Sequence, residues 1–279
     1  MATIDWNGGS GDWNDPSDWT PEQVPTTGDT ATITGTIASD VLINGNETVS
    51  VAGVTIDNPL ASLEVDGYLS ADTIALQAGT ITDDGTIANA TIALDGGSLD
   101  FGFGLLYNDK IEGALVLGGS GTAEIQGTFA ATGIDGTGPG TITIDGADST
   151  LLFNDATDSL DNTTITIGSA GGLDSLSAGG VLTLGTGVVV QTTTTAFLDV
   201  ALASDGAGTI INDGSIIADA ASGEMDLESP AFINNGAITV AGGADLEITP
   251  YGTFANTGLL TIGNASTATI AYLNTFTNT

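Results

Sequence analysis

Carboxylates are the reactive groups that this sequence holds in quantity. There are 35 Asp and Glu residues against one basic residue, Lys110, and there is no Cys, His or Arg. Nucleophilic catalysis by a thiol, or by a serine served by histidine, lacks its parts. Lyase chemistry on acidic polysaccharides needs a base titrating near neutrality, usually Arg, Lys or His, beside calcium-binding carboxylates. What remains is hydrolysis by a carboxylate pair and cation binding by oxygen ligands. The acidic residues stand mostly in turn-like contexts such as Asp83-Asp84, where Asp is favoured for local hydrogen bonding. No pair is singled out. The expectation is a protein that is not an enzyme, with a polysaccharide hydrolase as the remote alternative.

Two groups near the start have spacing suited to binding. Trp6, Trp13 and Trp19 are the chain's three tryptophans, and Pro16, Pro21 and Pro25 lie among and just after them. Their expected role is to plug the open edge of a stacked core; the alternative is a platform on which a host or matrix glycan stacks. Asp12, Asn14, Asp15 and Asp18 place four oxygen-bearing side chains close together, a possible calcium site. The fit to a calcium loop is poor, because Pro16 sits where a ligand is wanted, no Gly follows and no distal Glu is in register.

The elements that position these groups announce themselves at the other end of the chain. Asn212, Asn234, Asn256 and Asn278 are spaced 22 residues apart, and Phe232, Phe254 and Phe276 keep the same step, as do Gly214, Gly236 and Gly258. A fixed period in this range marks a solenoid, in which no single coil buries its apolar side alone. Within the unit, apolar residues alternate with small polar ones, as in Ala237-Ile238-Thr239-Val240 and Asp245-Leu246-Glu247-Ile248. That alternation is the pattern of short strands with one buried face. The fold expected is all-β, a parallel β-helix of about 22 residues per coil. The Asn residues would stack as an amide ladder, the Phe residues as an interior column, and each Gly would serve a positive-φ position.

The segment GTITDDGTI at 79–87 copies the late GTIINDGSI, with Asp83 in the Asn position, so the repeat extends toward the start. Residues 1–29 read as a Trp-rich cap and 30–279 as the β-helix. FGFGLLYNDKIEG at 101–113 interrupts the pattern and reads as a widened coil that tucks in its aromatics, or as a binding loop. Coil lengths drift over 114–207. Thr-x-Thr strands such as 141–144 and 164–167 are too irregularly spaced for a flat ice-binding face. The sequence stops in mid-turn at Asn278-Thr279, which suggests an end covered by the remainder of a larger chain or by self-association.

A formal net charge of −34 excludes several partners. Nucleic acid and anionic membrane surfaces bind through Lys and Arg, so neither is expected. Acidic sugars would be repelled and divalent cations attracted. No apolar run is long enough to span a membrane, and MATIDWNGG has neither the basic nor the apolar region of a secretory signal.

The repeat G-T-[IF]-x-N-x-G-x-[IL], the Gly, Asn and Thr content and the Trp-rich start resemble the β-helical adhesin domains of Gram-negative bacteria, of the autotransporter-passenger and filamentous-haemagglutinin type. The resemblance implies a right-handed parallel β-helix located outside the cell or on its surface, acting as a stalk, adhesin or biofilm component. The sequence departs from that pattern in showing no signal peptide and no β-barrel translocator.

Overall fold

Alternation sets which side of each strand is buried, and the stacking of strands carries that choice from coil to coil. The computed structural model describes residues 2–146, 148–168, 175–178, 180–193, 196–199, 208–249, 252–271 and 275–279. Two compact units are distinguished: Met1–Val116 with Gln126–Thr137, and Leu117–Ile125 with Gly138–Thr279. Each is a stack of parallel β-coils, and among the described residues the only helix is a single 3-10 turn, Pro16–Asp18.

In the first unit one row of strands runs Thr3–Trp6, Thr30–Thr34, then the second half of Thr48–Asp57, then the second half of Tyr68–Leu76, Thr91–Leu94, the start of Lys110–Leu117 and Ala130–Thr132. From Thr30 onward the paired residues are Thr30, Gly53, Thr73, Thr91, Lys110 and Ala130, giving steps of 23, 20, 18, 19 and 20 residues. These coils are mostly tighter than the 22-residue repeat of the other unit. The inward residues form one continuous column: Ile4, Ala31, Val54, Ile74, Ile92, Ile111 and Ala131, all buried. Val41, Leu63, Ile81 and Leu99 make a second column, and Val49, Leu69, Ile87 and Leu106 a third. Each fully buried Ile, Leu or Val contributes roughly 1.5–3 kcal/mol. The single ion pair among the described residues, Lys110 Nζ to Glu112 Oε1 at 2.7 Å, is partly exposed and worth at most about 1 kcal/mol. The columns therefore carry the stability.

The segment 101–113 is regular, not a loop. It forms Ser98–Phe101, Phe103–Tyr107 and the start of Lys110–Leu117, in parallel register with the coil before. The expectation that the aromatics tuck inside fails for two of the three: Phe101 is buried, but Phe103 and Tyr107 point outward. The reason is strand parity. Gly104 and Leu106 take the inward positions, so residues 103 and 107 cannot.

In the second unit the pairs Thr209, Ala231, Thr253 and Thr275 keep steps of 22, as do Ser215, Ala237 and Leu259, whereas the step from Val189 to Ser215 is 26. The amide ladder forms as expected. Asn212 Nδ2 donates to Asn234 Oδ1 at 2.7 Å, Asn234 Nδ2 to Asn256 Oδ1 at 2.6 Å, and Asn256 Nδ2 to Asn278 Oδ1 at 2.7 Å. Phe232, Phe254 and Phe276 stack beside it, with ring centroids 6.0 and 5.5 Å apart, but only the first two are interior as expected: Phe276, in the last strand, has no coil above it and is half exposed. The ladder starts at Asn212 because the residue paired with it in the preceding coil is Leu184, and its Oδ1 is buried with no partner.

The glycine column exists for a different reason from the one expected. Gly214, Gly236 and Gly258 do not have positive φ. A Cβ on Gly236 would lie 2.1 Å from the carbonyl oxygen of Gly214, and one on Gly258 2.1 Å from that of Gly236. Coil-to-coil approach, not backbone conformation, forbids a side chain there.

Gly236→Ala is expected to lower the stability of this unit by about 1–3 kcal/mol, the usual cost of forcing extra volume into a packed site. Gly119→Ala, where an added Cβ meets nothing within 4 Å, should be near neutral. Denaturant unfolding of the two variants checks this; equal effects would refute the close-approach explanation.

Candidate functional site

The Trp cluster is built by a strand that doubles back. Trp19–Thr20 pairs antiparallel with Thr3–Trp6, covering the edge of the row whose other side pairs in parallel with Thr30–Thr34. Trp13 and Trp19 are fully buried and Trp6 nearly so. Trp19 lies 4.9 Å from both other rings in edge-on contacts, and its Nε1 donates to the Trp13 carbonyl at 2.8 Å. The sugar-stacking platform is thus corrected: three indoles packed edge to face inside the cap offer no free ring face to a glycan.

Asp12, Asn14, Asp15 and Asp18 do not converge on a common ligand position. Asp12 accepts from the Asn14 backbone N–H at 2.8 Å and from Asn44 Nδ2 at 2.6 Å. Asp15 caps the 3-10 turn, accepting from the Ser17 N–H and hydroxyl, and these bonds hold its carboxyl below the usual range. Asp18 leans over Gly11, where a Cβ would clash with its carboxylate. The carboxylates of Asp12 and Asp15 are engaged in local hydrogen bonds, and the acids of this set are not among the carboxylate groups that lie close enough to share a cation.

The structure gathers carboxylates at two other places that sequence reading missed. Glu64, Asp66 and Asp84 each place an oxygen within 4.8 Å of the others on the exposed surface of the first unit. Glu224, Asp226 and Glu247 do the same in the second unit. In the latter, Asp226 pairs directly with Glu247 across adjacent coils and shares its strand face with Glu224 two residues away. Burial, followed by repulsion from Glu224, Glu247 and Glu228, pushes Asp226 up to about 6, and its Oδ1 is buried without a partner. The signal was present in the sequence as the alternation of EMDLE above DLEI, but only the register says which carboxylates face each other.

Two further acids are interior. Asp83 occupies the position that the ladder Asn holds in the other unit, yet its paired neighbours are Val65 below and Phe101 above. One oxygen accepts from the Gly85 N–H at 3.2 Å, and the other is buried with no partner. Burial, with the charges of Asp109 and Asp84 adding to it, pushes Asp83 up to about 8. Asp109 accepts from the Ala90 N–H at 2.6 Å, its Oδ2 is likewise orphaned, and burial pushes it up to about 7. Asp109 borders a surface groove of about 210 Å³ lined also by Asn89, Asn108, Lys110, Thr128 and Phe129.

These interior acids give the first unit a pH dependence. An aspartate in the unfolded chain releases its proton near 3.8, whereas folded Asp83 keeps it to about 8. The stability contributed by the protonated form is complete below about pH 4 and is lost as pH rises toward 8. Asp83→Asn, which cannot ionise, should therefore stabilise the protein at pH 8 relative to the parent and reduce the decline between pH 4 and 8. Calorimetric melting across that range measures it; a variant that melts below the parent at pH 8 would contradict the assignment.

In comparisons with known proteins the chain matches no family model, no curated protein and no solved structure, so the likeness to secreted adhesin domains rests on the repeat pattern and the solenoid fold alone.

Proposed function

We propose that this chain is a non-catalytic structural or adhesive β-solenoid that works outside the cell or at its surface, self-associating or serving as part of a larger assembly in the presence of calcium. The observation that carries this reading is the gathering of carboxylate groups at the surface of stacked coils in a protein of net charge −34: Glu64 with Asp66 and Asp84 in the bends beside it, and Glu224–Asp226–Glu247 on an outward strand face. Like charges held this close repel one another, and the repulsion keeps copies apart. A divalent cation relieves both. Partly exposed carboxylate sets of this kind suit the weak, 10⁻⁴–10⁻³ M calcium range typical of extracellular modules, which supports a location where free calcium is that high.

A polysaccharide hydrolase is the remaining alternative, since Asp226 combines a raised proton affinity with two adjacent carboxylates. Those groups stand on an outward strand face, and carboxylate abundance alone explains their proximity.

Millimolar calcium should raise the mass observed by light scattering and raise the melting temperature, both reversed by a chelator. Combining Glu224→Gln with Glu247→Gln should shift the calcium midpoint several-fold upward. No change in mass or melting with calcium would end this reading.

A further inference from the structure

Among the described residues the exposed aromatics are Phe276 on the last coil and two in one strand, Phe103 and Tyr107; none is in the Trp-rich cap. Phe103 is 81% exposed and Tyr107 41% exposed, both on the outward face of one strand. Tyr107 pairs with Ala88, which pairs with Ser70, and Leu105 pairs with Thr86, which pairs with Tyr68. Ala88 is fully buried, so on this row the accessible surface belongs to Tyr107 and the partly exposed Ser70. Directly after Tyr107 the chain turns at Asn108, in the left-handed region at φ 58°, and enters the groove of about 210 Å³. Asn89, next to Ala88, turns in the same way at φ 60°, and its Nδ2 reaches Ser70 Oγ at 3.4 Å. Tyr107 thus directly precedes a residue that lines the groove, and the only lysine of the chain lines the groove too.

We propose that Phe103, Tyr107 and the groove lined by Asn89, Asn108, Lys110 and Thr128 form a binding surface for an uncharged oligosaccharide. Exposed aromatic rings take the C–H face of a sugar, and amide and hydroxyl side chains around a shallow groove take its hydroxyl groups. Charge selects within the class. Lys110 is already paired with Glu112, and the surrounding field is that of a protein with 35 acidic residues, so glycans bearing carboxylate or sulfate are repelled. The fold explains why the rings remain outside. Gly104 packs against the Asp83 carboxyl, with a Cβ there only 2.5 Å from its Cγ, which fixes the strand's parity and turns its neighbour Phe103 out.

The proposal gives the adhesive reading a target and rests on it only in that sense. Glycan binding is measured on the chain in chelator, so loss of calcium-dependent assembly and loss of sugar recognition are separate results. The experiment is titration of the full chain with a panel of neutral oligosaccharides (gluco-, manno-, xylo- and galacto-configured) and with polygalacturonate as the acidic control. At least one neutral glycan should bind, polygalacturonate should not, and the double variant Phe103→Ala/Tyr107→Ala should weaken binding at least tenfold. Its melting temperature should match the parent's, because both side chains are exposed. Trp13→Phe, in the buried cap, should leave the affinity unchanged. Silence of every neutral glycan at millimolar concentration, or unaltered binding by the double variant, would overturn the proposal. So would binding of unstructured peptides through Phe103 and Tyr107 while all glycans are silent, which would assign the surface to a protein partner.

Discussion

Parallel strands stacked about 4.8 Å apart place every residue of one coil against its counterpart in the next. This constraint governs the rest of the molecule, because it multiplies whatever a position contains. An inward Ile above an Ile removes both from water, and the column from Ile4 to Ala131 repeats that gain along the first unit. An Asn above an Asn donates upward and accepts from below, and the ladder from Asn212 to Asn278 satisfies amides that would be costly to bury singly. A glycine above a glycine lets two turns approach until no Cβ fits. The same multiplication penalises outward carboxylates: Asp226 is set against Glu247 by register, and the proximity of like charges helps to raise its proton affinity.

Positions where the counterpart is of a different type are the ones under stress. Asn212 faces Leu184 and has an orphaned oxygen. Asp83 lies between Val65 and Phe101 in a ladder position with no ladder to join. Asp158 shares its row with Leu182, below Ile210 and the Phe column, and burial raises it above the usual carboxylate range. In each case strand parity has carried a polar group inward beside an apolar counterpart; Asn212 and Asp83 each keep an orphaned oxygen, whereas Asp158 accepts from the Asp155 N–H. Asp83 responds by holding its proton up to about 8, so this part of the interior is less charged than the composition implies.

The outward faces carry the functional reading. With the tryptophans packed into the cap, exposed aromatics stand elsewhere, two of them in the strand Phe103–Tyr107, and with Asp12 and Asp15 held in hydrogen bonds, carboxylates are gathered where stacking brings them together. Both surfaces are products of register. A scaffold whose interior is fixed by columns can vary its outward residues at little cost, and this is where an adhesive protein would place recognition.

The solenoid was legible in the sequence because its cause is local and repeated: strand alternation and a 22-residue period in Asn, Phe and Gly are visible without knowing any contact. The amide ladder and Phe column followed for the same reason. The purpose of Gly214, Gly236 and Gly258 did not, since a positive φ and a close approach leave the same residue in the sequence. Nor did the sites. Whether Trp13 faces inward or outward, whether 101–113 is a loop or a strand, and which carboxylates meet depend on parity and on coil steps that vary from 18 to 30 residues. A shift of one residue reverses the face of a whole strand. Composition and period determined the kind of fold and the sign of its field; only the stacked register decided which side chains face solvent and which of them meet.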